Sequence, residues 1–161
     1  MLTVRCTAKL LRRLKVRPAP SPAMSSDRLG DWYATILQNR PARLILLVNE
    51  PTRLAAVLSA RELATLASWT PEAIAEVLRG LGASDETIDL ERRAMADLRF
   101  DRTASRSVLG TMNDYHFLMN CSAARGAPRN FLELAMDLNR NYERAPRAGV
   151  TLAAHVMVPP A

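Results

Sequence analysis

The chain has 161 residues, of which 48% are hydrophobic and 24% are charged, values typical of one soluble domain that buries its own core. Two cysteines are too few for a disulfide framework, so we interpret Cys6 and Cys121 as free thiols of a reducing compartment and predict a cytoplasmic protein. Every apolar run is far shorter than the roughly 20 residues that span a bilayer, and the sequence lacks the apolar region of a secretory signal, so we expect no membrane span.

The net charge of +6 is concentrated in the first third of the chain. Residues 1–60 carry ten Lys or Arg and three Asp or Glu, whereas residues 61–100 carry five and eight. This basic third predicts attraction to polyanions through long-range electrostatics. An Arg-rich start without acids is also typical of a transit peptide, but the spacing of Leu10, Leu11 and Leu14 favours a helix with a solvated basic face and a buried apolar face.

The first elements in chain order are predicted to be four strands and one helix. The strands are placed at residues 2–6, 32–37, 43–48 and 54–58, and the helix at residues 7–15. The Pro- and Ser-rich segment 16–31 predicts an exposed loop. Two-residue alternation and intervening turn sequences predict that the last three of these strands form an antiparallel meander.

The rest of the chain is predicted to be mainly helical. Helices are placed over residues 61–67, from Thr70 to about Gly82, from Ser84, from Ser105 or Ser107 to about residue 123, and from Asn130. The helix start at Thr70 rests on a hydroxyl N-cap followed by Pro71 at the first helical position. Residues 98–103 alternate and predict a strand, and residues 150–158 alternate as an edge strand or a tail would.

These elements predict an α+β fold rather than alternating βα units. We expect an antiparallel sheet of about four to five strands with helices packed mainly on one face. One domain is expected over residues 1–145, with the loop 16–31 exposed, and residues 146–161 are expected to form a C-terminal edge strand or tail.

Four sequence blocks carry a resemblance to a known family. They are VRCTAKLL at residues 4–11, DWYA at 31–34, LVNE at 47–50 and RTASRSVLGTMND at 102–114. With these blocks the chain resembles an uncharacterised bacterial domain-of-unknown-function family over roughly residues 3–120. The resemblance implies that the first strand belongs to the folded domain, which argues against a transit peptide, and it implies no activity.

The fourth block is the best candidate for a site. A strand ends there and a helix begins at a Ser-Arg-Ser sequence, and helix N-termini attract anions. Two arginines would add bidentate geometry for phosphate or carboxylate, and an asparagine lies two helical turns beyond the second. The candidate anion-binding residues are Arg102, Ser105, Arg106, Ser107 and Asn113.

A purely structural interpretation of the same block stays open. In it a serine only caps the helix, Asn113 satisfies buried backbone groups, and Arg106 pairs with Glu50 or Asp31. Nucleic-acid binding is a separate hypothesis, in which Arg12, Arg13, Lys15 and Arg17 follow a phosphate backbone. Its alternative is an ordinary solvated basic face, and no motif for sequence-specific readout occurs.

Catalytic and metal chemistry find little support in the sequence. A nucleophilic Cys6 would need a low pKa, yet it lies in an apolar strand. The serines Ser105 and Ser107 lack an evident base, since the sequence has only two histidines, His116 and His155. No pair of ligands has the spacing of a zinc site. We predict no catalytic residue, no metal site and no cofactor.

The sequence thus favours a non-enzymatic accessory or regulatory module that binds a partner. Protein and nucleic acid are both open as partners, and the Ser-Arg-Ser helix start favours an anionic one. The alternative is a hydrolase or nucleic-acid-processing enzyme that uses the face formed by Arg102, Arg106 and Asn113. An enzyme would need a concave pocket at the start of that helix with a titratable group whose pKa is perturbed. A binding module would need an exposed patch instead.

Overall fold

A computed structural model of the chain describes residues 1–18, 25, 28–39, 42–61, 63–125 and 130–141. Within these residues the chain forms five strands, five α-helices and one turn of 3₁₀-helix at Leu63–Thr65. The strands are β1 (Leu2–Cys6), β2 (Trp32–Asn39), β3 (Ala42–Asn49), β4 (Ala55–Ser59) and β5 (Leu98–Arg102). The helices are α1 (Ala8–Leu14), α2 (Leu66–Gly80), α3 (Asp85–Ala94), α4 (Arg106–Arg125) and α5 (Phe131–Asn141). The α+β class is therefore confirmed.

The strands form one mixed sheet in the order β4-β3-β2-β1-β5. The meander β2–β3–β4 is antiparallel, as predicted, but β1 is parallel to both β2 and β5, so the expectation of an antiparallel sheet is wrong for this part. The reason for the parallel β1–β2 pair is that α1 lies between these strands in the chain, and a helical crossover carries the chain back to the end of the sheet at which β1 began. Packing of the helices mainly on one face stays a prediction.

The centre of the sheet is apolar because β3 carries a continuous run of buried residues from Leu44 to Val48. A strand that reads as apolar on both faces is typical of a central position in a sheet, and β3 lies between β2 and β4. Trp32 and Tyr33 of the neighbouring β2 are also fully buried. The core of the fold therefore lies against the central strands β2 and β3.

Helix α2 differs from its prediction. The sequence predicts a short helix over residues 61–67 and a second one from Thr70, but α2 runs unbroken from Leu66 to Gly80 with Pro71 inside it. Thr70 is buried and does not cap the helix, because its hydroxyl donates to the carbonyl of Leu66 at 2.8 Å. Burial of Leu66 and Ile74 on either side of Pro71 holds the two predicted pieces together despite the missing N–H.

The predicted starts of two other helices are confirmed. The hydroxyl of Ser84 accepts a hydrogen bond from Thr87 N at 3.3 Å before α3, and Oδ1 of Asn130 accepts one from Glu133 N at 2.8 Å before α5. The predicted strand or tail at 146–161 and most of the loop 16–31 lie outside the described residues. Among the residues that are described, no helix has both the length and the apolar character required to cross a membrane.

Candidate functional site

A cluster of charged side chains lies where β1, β2 and β5 run side by side. Arg5 Nε donates to Asp31 Oδ2 at 2.5 Å, and Arg5 Nη1 lies 3.6 Å from Asp101 Oδ2 and 3.4 Å from the carbonyl oxygen of Arg102. Burial opposes the charge on Arg5, but the hydrogen bond and the charge of Asp31 outweigh it, and the net pKa of Arg5 is raised. The guanidinium is thus held by two carboxylates and one backbone carbonyl.

Tyr33 connects this cluster to the start of α4. Its hydroxyl accepts a hydrogen bond from Ser105 N at 3.0 Å and donates one to Glu50 Oε1 at 3.4 Å. Burial raises the pKa of Tyr33, so the phenol stays protonated and acts as a donor. The four sequence blocks that resemble the family therefore meet in one polar cluster, with Arg5, Asp31, Tyr33, Glu50 and Ser105 as members.

The members of this cluster satisfy one another, which indicates a structural role. Asp31 pairs with Arg5 and Glu50 accepts from Tyr33, whereas Arg106 is exposed. The structural interpretation of the fourth block is therefore wrong in its proposed pairing of Arg106 with Glu50 or Asp31. The two acids hold the sheet and the α4 start together instead.

The serines of the fourth block are engaged in fixing α4. Ser105 is the N-cap, because its hydroxyl accepts from Val108 N at 3.4 Å and its carbonyl accepts from Leu109 N at 3.2 Å. The hydroxyl of Ser107 accepts from Arg53 Nη2 at 3.1 Å. The carbonyl of Arg53 in turn accepts from the Tyr115 hydroxyl at 2.6 Å, so α4 is tied to the turn between β3 and β4.

The side chains of the other three predicted anion-binding residues are exposed. Arg102 ends β5, Arg106 begins α4, and Asn113 lies two turns further on; all three are exposed. Neither arginine forms an ion pair within the described part of the chain. Because Asn113 is exposed, it does not satisfy buried backbone groups as the structural interpretation had it.

The basic residues of the first third lie on the surface of α1 and just beyond it. Arg12 and Arg13 occupy the last turn of α1, and Lys15 follows with a left-handed backbone at φ 56°. These three residues and Arg17 are exposed. The solvated basic face is present, and its use for nucleic acid stays a prediction.

Cys6 is unsuited to nucleophilic catalysis. Its side chain is buried, and burial raises the pKa of its thiol to about 12, so the reactive thiolate is not formed near neutral pH. Both cysteines are free. In the part of the chain that the structure describes, no three His, Cys, Asp or Glu side chains come together in a group that could hold a metal ion.

A groove of about 380 Å³ lies between β4, α2 and α5. Its buried lining is apolar and includes Val57, Val77 and Ala135. Two aromatic side chains, Trp69 and Phe131, also line it. Trp69 is 57% exposed and Phe131 is 38% exposed, although side chains of this size are usually buried. None of the described lining residues belongs to α4, so the groove is separate from the predicted anion-binding face.

Part of the β4 backbone points away from β3, on the side of the strand that borders this groove. Asn49 N donates to the carbonyl of Leu54 at 2.8 Å and Ala60 N donates to the carbonyl of Arg43 at 3.0 Å. Since the hydrogen-bonding direction alternates along an antiparallel strand, every second residue from Leu54 onward faces β3. The N–H and C=O groups of the intervening residues, Ala55, Val57 and Ser59, therefore point away from the sheet.

The outward backbone groups of Ala55, the first of these residues, are hydrogen-bonded to a side chain. Oδ1 of Asn139 accepts from Ala55 N at 2.7 Å, and Nδ2 of Asn139 donates to the carbonyl of Ala55 at 2.9 Å. The amide of Asn139 thus replaces the peptide group of a neighbouring strand. Val57 and Ser59, which follow on the same edge, border the groove.

Sequence reasoning missed this groove entirely. Phe131 belongs to the same helical stripe as the buried Leu134, Ala135 and Leu138, so it reads as core. Trp69 falls between the two helices that were predicted in place of α2. The available signal was an aromatic residue in the first turn of each of two helices, which does not distinguish a groove from a core.

The fold and these surfaces define a class of small α+β protein with a mixed five-stranded sheet, an internal polar cluster and an apolar groove at one sheet edge. The chain matches the model of the family described as Domain of unknown function (DUF6933) over residues 3–147 and belongs to that family. The family resemblance seen in the sequence is thereby confirmed. No curated protein and no solved structure matches the chain.

Proposed function

We propose that this protein is a non-enzymatic binding module whose groove between β4, α2 and α5 takes an extended peptide segment. The observation that carries the proposal is the meeting of two exposed aromatic side chains, Trp69 and Phe131, with an edge of β4 whose outward backbone has no strand partner among the described residues. Exposed aromatic residues beside an apolar depression are typical of protein-binding sites.

The backbone of β4 supplies the first part of the recognition. Val57 and Ser59 direct peptide N–H and C=O groups away from β3, and a bound strand would pair with them by strand addition. In such a strand every second side chain points to the same face. The groove would therefore select alternating apolar side chains on one face of the peptide.

Charge supplies the second part. Glu76 lines the groove, is exposed and has no ion pair among the described residues, whereas Glu72 pairs with Arg92. An exposed, unpaired carboxylate beside an apolar groove favours a partner with a basic residue next to its apolar run. The occupant is thus an extended apolar peptide accompanied by Arg or Lys.

Two observations support a module rather than an enzyme. Among the described residues that line the groove there is neither His nor Cys, so on those residues the proton-transfer groups are carboxylates and hydroxyls. The polar cluster around Arg5 and Tyr33 is satisfied internally. The free thiols Cys6 and Cys121 fit a reducing, cytoplasmic setting.

The test is a binding titration with a fluorescein-labelled designed peptide, Arg-Arg-Ser-Val-Thr-Leu-Thr-Val-Thr-Val, followed by anisotropy. Phe131→Ala and Trp69→Ala should each weaken binding about tenfold, because truncation of an interface aromatic residue typically costs 1–2 kcal/mol or more. Phe117→Ala is the matched control, since Phe117 is 68% exposed but lies on α4 away from the groove. Equal binding by the two groove variants and the control would refute the proposal.

A control peptide tests the strand-addition geometry. Proline at every second position, replacing the residues between the apolar ones, removes backbone donors while the apolar side chains stay in place. This peptide should bind at least tenfold more weakly than the designed peptide. If both peptides bind alike, the open edge of β4 plays no part in recognition.

A second candidate function is binding of an anionic partner at the start of α4. The specific observation is that Arg102 and Arg106 are exposed, only four residues apart, and outside any ion pair of the described residues. The test is binding to single-stranded DNA from low to physiological salt. Loss of binding in Arg102→Ala/Arg106→Ala would assign the contact to this face, whereas loss in Arg12→Ala/Arg13→Ala would assign it to α1. Absence of binding at low salt would exclude polynucleotides as partners.

A further inference from the structure

We infer that the groove selects a peptide whose apolar run is bounded by opposite charges, with a basic residue at one end and an acidic residue at the other. This inference rests on the proposed peptide groove and goes beyond it by naming the charge pattern of the occupant. Two side chains carry it, Arg61 and Glu76, which both line the groove and are both exposed.

Arg61 lies where the chain passes from β4 into α2. Its backbone N–H donates to Ser59 Oγ at 3.2 Å, which holds Arg61 beside the last residue of β4. The 3₁₀ turn at Leu63–Thr65 and then Leu66, the first residue of α2, follow closely in the chain, and Leu66 also lines the groove. Arg61 therefore belongs to the end of the groove at which α2 begins.

Glu76 lies further along the same helix. It comes ten residues after Leu66 in α2, and at a rise of about 1.5 Å per residue the two are about 15 Å apart along the helix axis. Trp69 and Ala73 lie between them at intervals of three or four residues and also line the groove, since residues at this spacing share one helix face. One face of α2 thus leads from the Arg61 end of the groove to Glu76.

Neither of these two charges is neutralised within the described part of the chain. Arg61 and Glu76 form no ion pair with each other or with another described residue. Glu72, the third charged residue of the lining, differs from them because it pairs with Arg92. The described lining therefore offers a partner both a free cation and a free anion.

The separation of the two charges sets the spacing of charge in the peptide. An extended peptide rises about 3.3 Å per residue, so about 15 Å along α2 corresponds to roughly five residues. A peptide with both signs at this spacing places an acid near Arg61 and a base near Glu76, whereas a peptide of one sign meets one attractive and one repulsive charge. Exposed charges add little affinity but discriminate between partners, so this pair acts on selectivity.

The experiment measures binding of four amidated peptides by anisotropy at low salt, each labelled with fluorescein through the same glycine linker. The mixed peptide is Lys-Val-Thr-Leu-Thr-Glu, the dibasic peptide ends in Lys instead, and the diacidic peptide begins with Glu instead. The adjacent-charge peptide, Val-Thr-Leu-Thr-Lys-Glu, has the composition of the mixed peptide but places both charges at one end.

The full chain is compared with two groove variants and two controls. Arg61→Glu makes the free charges of the groove both acidic, and Glu76→Lys makes them both basic. Lys9→Glu on α1 and Asp89→Lys on α3 are the matched controls, because both residues are exposed and outside the described lining. Each control changes the net charge of +6 by the same amount as its groove variant, so it accounts for long-range electrostatics.

We expect the unmodified chain to bind the mixed peptide about threefold more tightly than each of the other three, as an exposed ion pair allows. Arg61→Glu should invert the preference in favour of the dibasic peptide, so that the ratio of the two dissociation constants changes by about tenfold. Glu76→Lys should do the same in favour of the diacidic peptide. The controls should keep the preference of the unmodified chain. Urea midpoints check folding, and either groove variant alone is sufficient for the test.

The outcomes separate this inference from the proposed function. If the ratios change less than twofold, or as much in the controls as in the groove variants, the inference is overturned, and the peptide groove stands as long as the designed peptide still depends on Trp69 and Phe131. Equal binding of the mixed and adjacent-charge peptides overturns the spacing and with it the inference. If neither the mixed nor the designed peptide binds the unmodified chain, both the inference and the proposed function are overturned.

Discussion

Replacement of Asn139 tests whether a single side chain closes the edge of the sheet. Its amide makes two hydrogen bonds to Ala55, of 2.7 and 2.9 Å, and the residue is only 8% exposed. Asn139→Ala leaves one buried N–H and one buried C=O without a partner, and each such group costs about 1–3 kcal/mol. Allowing for partial access of water to a strand edge, we expect the free energy of unfolding to fall by about 2–4 kcal/mol.

The assay is urea unfolding followed by circular dichroism, with Asn141→Ala as the control. Asn141 is exposed, and its hydrogen bonds to described residues stay within its own helix, to Asp137, so its replacement should change the free energy of unfolding by less than about 0.5 kcal/mol. Asn139→Asp keeps the acceptor but at neutral pH loses the donor to the Ala55 carbonyl, and it should destabilise at least as much as Asn139→Ala. A loss for Asn139→Ala no larger than that of the control would refute the reasoning.

Three further predictions concern single residues. Asp31→Asn should lower the free energy of unfolding by about 3 kcal/mol, because it removes one partner of the buried pair with Arg5; an unchanged urea midpoint contradicts this. Burial raises the pKa of Glu91 above its ordinary 4.5, against the opposing charge of Arg28, so the stability that protonation of Glu91 provides is complete below pH 4.5 and is lost as the pH rises through the raised pKa. Glu91→Gln should therefore gain melting temperature over the unmodified protein as pH increases from 4 to 7, and a constant difference would contradict it. Pro71→Ala should stabilise α2 by about 1–3 kcal/mol by restoring an interior N–H donor, and a loss of stability in urea unfolding would count against that account.

The meander was predictable because its information is local. The alternation in β2 and the apolar run of β3 follow from side-chain periodicity over a few residues, and the turns between them leave few possible arrangements. The partners of β1 were not predictable in this way. Its register with Trp32 and with Leu98 depends on contacts between residues about 30 and 96 positions apart in sequence, which no local pattern specifies.

The start of α2 shows local and tertiary signals in conflict. A threonine followed by proline favours a helix start, and that preference is worth about 1 kcal/mol. Burial of Leu66 and Ile74 on one continuous helix face contributes more, at roughly 1.5–3 kcal/mol for each side chain. Tertiary packing therefore overrides the start signal and places Pro71 inside the helix.

The two candidate sites differ in how the sequence represents them. Arginine and serine at a helix start form a visible pattern, yet the structure uses Ser105 and Ser107 as caps and ties. The groove has no pattern of its own, because Phe131 lies on a helical stripe typical of core residues. Whether such a residue is buried depends on which segment covers it, and this is decided by the whole fold.

The arrangement of α5 suggests how the protein controls the edge of its sheet. A long open edge promotes aggregation through strand pairing. Asn139 bonds the outward backbone groups of Ala55, whereas within the described residues no hydrogen bond reaches those of Val57 and Ser59. Loss of the Asn139 amide would therefore lengthen the stretch of edge that is available for pairing. We expect Asn139→Ala to self-associate under conditions in which the unmodified protein and Asn141→Ala stay monomeric, as measured by sedimentation and light scattering. An Asn139→Ala variant that stays monomeric at the same concentration and fraction folded would show that something other than this amide protects the edge.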